Sequence, residues 1–151
     1  STQSPAKPAE AEKTESASAS KAGNGVTVTF AELDGTKRST MVTGGCTVVY
    51  EATNNLKDEI KYLAFDYRAV PAEDDVTARS FVDARGDLRI YFGALKPGET
   101  RQGSTTLEGL NCDSIEGLAV STKSCGLKSG SKCEDAIRLD NKTSVPLDTT
   151  F

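Results

Sequence analysis

Histidine is absent from the 151-residue chain, and so is tryptophan. Without an imidazole there is no Ser-His or Cys-His catalysis, no His-ligated metal site and no His-based pH switch. No Cys-x-x-Cys occurs, which leaves thioredoxin-like redox chemistry and zinc ribbons without support. No nucleophile elbow, P-loop or dinucleotide fingerprint is present either. No window approaches 18 consecutive apolar residues, so nothing reads as a transmembrane segment. The charge balance is acidic, 18 Lys+Arg against 22 Asp+Glu, with a pI near 4.9. That balance argues against nucleic acid as a partner, because phosphate binding needs clustered Lys and Arg. Nothing in the sequence calls for a cofactor or a metal.

Hydrophobic residues are few, 36% of the chain, and part of that deficit is local. Residues 1–24, STQSPAKPAEAEKTESASASKAGN, hold no Val, Ile, Leu, Phe, Tyr or Met. Such a segment buries too little apolar area to offset its ordering entropy, so it is expected to be a flexible linker. The plainer reading is an inert spacer. The sharper one is a tether of the kind that follows the lipid-bearing Cys of bacterial surface lipoproteins. With no lipobox or signal peptide in the sequence, the expectation is a processed chain from which any lipid anchor is missing.

Four cysteines are present: Cys46, Cys112, Cys125 and Cys133. An even count, together with the linker, favours two disulfides and an oxidising compartment: secreted, periplasmic or cell surface. Cys125 and Cys133 flank GLKSGSK, whose Ser129-Gly130 signals a turn, and a hairpin there would face them across two strands. Cys46 would then join Cys112. The alternative, Cys46–Cys125 with Cys112–Cys133, stays open, since Cys46 opens one strand and Cys125 closes another at the same end.

From Gly25 the pattern becomes one of short β runs. Val26, Val28 and Phe30 alternate with Thr27 and Thr29. CTVVYEAT places Val48, Tyr50 and Ala52 on one face and stops at Asn54-Asn55. IKYLAFDYRAV places Leu63, Phe65 and Tyr67 on one face, with Lys61 out of step, and Pro71 ends it. Ser80–Val82 and Leu88–Phe92 flank Arg85-Gly86 as an expected hairpin. Lys96-Pro97-Gly98-Glu99 has the chemistry of a type II turn. Thr100–Leu107 reads as a polar strand near an edge, and Ile115, Leu118 and Val120 mark an expected last core strand. Glu134–Leu139 is too short to count as a helix. The expectation is an all-β, antiparallel, immunoglobulin-like sandwich of about seven strands over residues 25–140, with 141–151 as a C-terminal extension.

The succession VVYEATNN at 48–55, the apolar strand Leu63–Tyr67 and LKPGET at 95–100 resembles the bacterial immunoglobulin-like envelope domains of the FxLYD and DUF4352 type. The resemblance covers about residues 46–122 and rests on turn chemistry. The chain departs from it in having AEDD at 72–75, where an Asp-x-Gly turn is common, and in its cysteine-bearing end. What the resemblance implies is a secreted or lipid-anchored binding or spacer module without assigned chemistry.

Constellations with chemical potential are few. Glu73-Asp74-Asp75 is contiguous rather than spaced for calcium and reads as a solvated acidic loop. Glu32 and Asp34 could form a carboxylate pair, but nothing sets them in a cleft. Asn141-Lys142-Thr143 is an acceptor sequon. The outward positions of two strands are more suggestive: Tyr62 and Arg68 on one, Arg89 and Tyr91 on the other. Tyr and Arg are enriched at binding hot spots, although an ordinary solvated sheet face carries them too. The functional expectation is a non-enzymatic interaction or spacer module of the bacterial envelope, engaging a protein partner or itself. A structural subunit of an extracellular assembly is the alternative.

Overall fold

A computed structural model describes residues 25–35 and 45–150. The expected linker at 1–24 lies outside the described residues. Among the described residues, eight strands form two four-stranded sheets. They are β1 (Val26–Asp34), β2 (Gly45–Asn54), β3 (Ile60–Pro71), β4 (Leu88–Phe92), β5 (Thr100–Glu108), β6 (Ile115–Leu127), β7 (Ile137–Asn141) and β8 (Leu147–Thr149). The first sheet runs β5-β2-β1-β7 and the second β4-β3-β6-β8. The placement of β1-β2-β5 in one sheet and β3-β6 in the other follows the A-B-E and C-F neighbours of an immunoglobulin sandwich.

Three corrections follow. The sheets are mixed rather than antiparallel, because β7 joins β1 and β8 joins β6 in parallel. Ile115, Leu118 and Val120 do not mark the last strand, since β7 and β8 come later and β8 draws on residues 147–149. The expected strand at Ser80–Val82 is instead part of helix α1 (Val76–Arg85). The Asp75 carboxylate accepts from the Ala78 amide at 3.0 Å, capping the helix start, and Gly86 ends it at φ 72°. Arg85-Gly86 is therefore a helix end and not a hairpin turn. Gly supplies the positive φ that a side chain resists. Only Ala78 and Val82 of α1 are buried, so its apolar stripe is two residues wide and periodicity is too faint to betray it.

Alternation on the main strands places the core between the sheets. Val26, Val28 and Phe30 of β1, Val48, Tyr50 and Ala52 of β2, and Leu63, Phe65 and Tyr67 of β3 are all buried. Their aromatic rings alternate between the sheets. Phe92 meets Tyr50 at 5.9 Å, Tyr50 meets Phe65 at 6.4 Å, Phe65 meets Phe30 at 5.7 Å and Phe30 meets Tyr67 at 5.8 Å. Three of these contacts are edge to face and the Phe30–Tyr67 pair is tilted, and ring contacts at these spacings add to the area term. Lys61 is out of step because a bulge between Ile60 and Tyr62 shifts the β3–β6 register.

Asn54 ties two turns together. It is fully buried, donates through Nδ2 to the Asp58 and Leu95 carbonyls at 3.0 Å each, and accepts the Leu56 amide at 2.9 Å. Its backbone carbonyl accepts from Gly98 N at 2.7 Å. Gly98 sits at φ 81°, and Glu99 N donates to Lys96 O at 2.9 Å, as a type II turn requires. The Asn at the end of β2 and the Pro-Gly-Glu turn before β5 are thus one hydrogen-bonded unit.

The disulfides are Cys46–Cys112 and Cys125–Cys133. The first closes a separation of 66 residues and the second one of 8. Loop entropy puts their contributions near ~4 and ~2.5 kcal/mol. The local pairing follows from the turn: Gly130 takes φ 101° and Cys133 N donates to Cys125 O at 2.9 Å.

Candidate functional site

The second sheet brings Tyr62, Arg68, Arg89 and Tyr91 onto one face. On β3, Leu63, Phe65 and Tyr67 point into the core, so residues 62, 64, 66 and 68 point out. β4 pairs antiparallel with β3, with Ala64 opposite Tyr91 and Asp66 opposite Arg89. Because Ile90 and Phe92 are buried, Arg89 and Tyr91 share the outer face with Tyr62 and Arg68.

Two carboxylates organise this face. Asp66 accepts from Arg89 Nε at 3.1 Å and Nη2 at 3.2 Å, a bidentate pair, and from Thr122 Oγ1 at 2.6 Å. Asp87 accepts from Arg68 Nε at 2.8 Å and from Ser121 Oγ at 3.2 Å. The hydrogen bond from Arg68 holds the Asp87 carboxyl below its ordinary range, with Ser121 assisting. A second register shift, between Asp66 and Tyr67, leaves Ser121 without a partner in the ladder. Its hydroxyl reaches Asp87 from there. Both arginines are therefore engaged by neighbours on their own face.

The tyrosines behave differently. Tyr91 is 65% exposed. Tyr62 lies against the β6 backbone: a Cβ built on its ladder partner Gly126 would come 2.8 Å from Tyr62 Cζ. Glycine at 126 is what lets that ring lie flat. Ala64, between the two tyrosines, is only 2% exposed.

Asp66 escaped the sequence reading, although it shares the parity of Tyr62 and Arg68 in one alternating strand. Asp87 left no such signal, because Arg85-Gly86 hid a helix end that sets the start of β4. The remaining candidates are structural in their surroundings. Asp75 caps α1, and the Glu73 carbonyl accepts from Arg79 at 2.7 Å. Glu32 and Asp34 lie in β1 beyond its bulge. The Asn141 side chain donates to Val145 O at 2.7 Å and accepts from Thr143 N and Oγ1, closing the turn between β7 and β8. Among the described residues no group of three or more His, Cys, Asp or Glu is placed to hold a metal ion, and no helix is long and apolar enough to cross a membrane.

One hydroxyl in the core stands apart. Tyr67 is buried, and among the described residues its Oη makes no well-formed hydrogen bond, although the Thr105 side chain is near enough to oppose the rise in its pKa. Burial pushes its pKa up, so it stays neutral. Comparison with protein-family models, with curated proteins and with solved structures returns no match for this chain.

Proposed function

We propose that this chain is a non-enzymatic binding module of the cell envelope and that it binds through the outer face of the second sheet. The observation that carries the reading is the convergence of Tyr62, Arg68, Arg89 and Tyr91 on one face of two paired strands. Two disulfides support an oxidising compartment, and the envelope reading adds a secreted, periplasmic or lipid-anchored setting to that. Tyr91 offers rigid aromatic area with little entropy to lose, and the bridged arginines are held in place before a partner arrives.

A photo-crosslinking residue at position 91 tests this, with Ser104 on the opposite sheet as the control position. Adducts from position 91 and none from 104, in the cells that make the protein, are the expected result. Equal yields from both positions, or none from either, would remove the face from consideration. The second reading, a subunit of an extracellular assembly, draws on β5. That strand is nine residues long and lies at the edge of its sheet among the described residues, and an edge strand can template another strand. Light scattering separates the two: a binding module runs at the monomer mass, and an assembly subunit exceeds it.

A further inference from the structure

Resting on that binding-face reading, we infer that the ligand is a neutral polysaccharide laid along the outer face of β3 and β4. The first argument is electrostatic. The four charged side chains at the centre of the face, Asp66, Arg68, Asp87 and Arg89, are already joined as two ion pairs. A charged partner would have to compete with bonds already made, whereas a neutral hydroxylated one would not. Asp66 holds three donors, yet a carboxylate offers about four lone-pair sites, and a guanidinium carries five N–H donors. The pairs therefore keep spare acceptors and donors in fixed positions, which is what hydroxyl groups recognise.

The second argument is shape. Tyr62 is diagonal to Tyr91 across the ladder, because Tyr91 faces Ala64, two residues along β3. Diagonal neighbours stand about 7–8 Å apart. Between them Ala64 projects little, and Gly126 lets the Tyr62 ring lie flat on the sheet. The result is a strip with an aromatic ring at either side of β3, Tyr91 on β4 and Tyr62 over Gly126 of β6, with Ala64 only 2% exposed between them. A pyranose ring has an apolar C–H face that stacks on such rings and a rim of hydroxyls that meets the flanking Asp66–Arg89 pair. A peptide strand gains no ladder from a sheet face, since the backbone groups there are already paired.

Native gels cast with hydroxyethylcellulose, glycol chitin or, as an acidic probe, polygalacturonate provide the test, against a gel without polymer. The expected result is retardation of the full chain in at least one neutral gel, unchanged at 1 M salt, where ionic contacts are screened. Tyr91→Ala weakens the apparent affinity roughly three- to tenfold, while Tyr91→Phe stays within about twofold of the parent, because the ring and not the hydroxyl stacks. Tyr62→Ala provides a second reading of the strip, with a thermal melt to show that it folds. The inference is overturned if no neutral gel retards the chain or if Tyr91→Ala leaves retardation unchanged. Retardation by polygalacturonate alone, abolished by salt, overturns it equally. Should the gels fail while position 91 still crosslinks to a protein, the glycan falls and the binding face stands. Should the crosslinks fail as well, both fall.

Discussion

The two outer faces of this sandwich are built from the same alternation, yet the strip over β2 and β5 differs in kind from the strip over β3 and β4. The first sheet turns outward Thr27, Thr29, Glu32 and Asp34 from β1, Thr47, Val49, Glu51 and Thr53 from β2, Thr100, Gln102, Ser104 and Thr106 from β5, and Arg138 and Asp140 from β7. Its hydroxyls pair with one another across strands, Thr47 with Thr106 at 2.9 Å and Thr53 with Thr100 at 2.7 Å. Thr29, Thr47 and Val49 are buried despite pointing away from the core. The second sheet turns outward ion pairs and an exposed tyrosine. Where β2 meets β5, short neutral hydroxyls satisfied by each other leave little for a ligand to grip. Long charged and aromatic side chains, held in place but still reaching solvent, leave a good deal. The difference locates candidate function on one side of a fold whose interior is shared by both.

If the contrast is confined to the exteriors, the two sheets should contribute alike to the interior. Phe30 belongs to the first sheet and Phe65 to the second, and their rings touch edge to face. Phe30→Ala and Phe65→Ala are each expected to cost about 3–5 kcal/mol, the loss of a buried ring plus the cavity it leaves. Denaturant unfolding measures both. A cost below about 1 kcal/mol for either would mean that one sheet dominates the core and that the comparison of faces starts from unequal sheets.

The sequence was most legible where one side chain pattern had one structural solution. Leu63, Phe65 and Tyr67 could face only one way, and the turn at 96–99 carried both of its specifying residues. Asn54 was legible as a strand end, but its reach to Leu95, 41 residues away, was not, because only the folded sheet brings the two turns together. α1 was misread because a two-residue apolar stripe gives no period, although Asp75 and Gly86 mark its ends in retrospect. β7 and β8 were missed because they are five and three residues long and pair in parallel, without a hairpin turn to announce them. For the candidate site, alternation sufficed to put Tyr62 with Arg68 and Arg89 with Tyr91. It could not show that β3 and β4 are neighbours, nor that both arginines already had partners.

The exteriors themselves can be separated by salt. Thr47→Val removes a hydroxyl pair at a position 1% exposed and should cost about 1 kcal/mol at any ionic strength. The Arg89–Asp66 pair is more open, with the arginine side chain 59% exposed. A double-mutant cycle of Arg89→Ala with Asp66→Asn should give a coupling of about 0.2–1 kcal/mol in dilute buffer. At 1 M salt, where the screening length falls to about 3 Å, it should drop towards zero. A Thr47 effect that follows salt, or an Arg89 coupling that ignores it, would erase the distinction between the faces.

The smallest expected effect separates two carboxylates with different kinds of support. Asp87, on the second sheet's face, is held below its ordinary range first by the Arg68 side chain. Glu99, in the turn leading to the first sheet's edge, is held low first by the backbone amide of Lys96, at 2.8 Å, and only then by Arg101. Both folded-state values lie below the unfolded ones. Each group therefore adds stability that is fully present above the ordinary carboxylate range and is lost as pH falls through the depressed value. Carboxyl NMR titration reads the two sites separately. Arg68→Ala should let Asp87 rise most of the way to its ordinary value, because its principal donor is gone. Arg101→Ala should leave Glu99 depressed, because the Lys96 amide is still there. If Asp87 does not move in Arg68→Ala, the ion pair is not what organises the second face. If Glu99 rises fully in Arg101→Ala, the turn depends on a side chain after all, and the two carboxylates no longer distinguish a pre-arranged binding surface from a rigid turn.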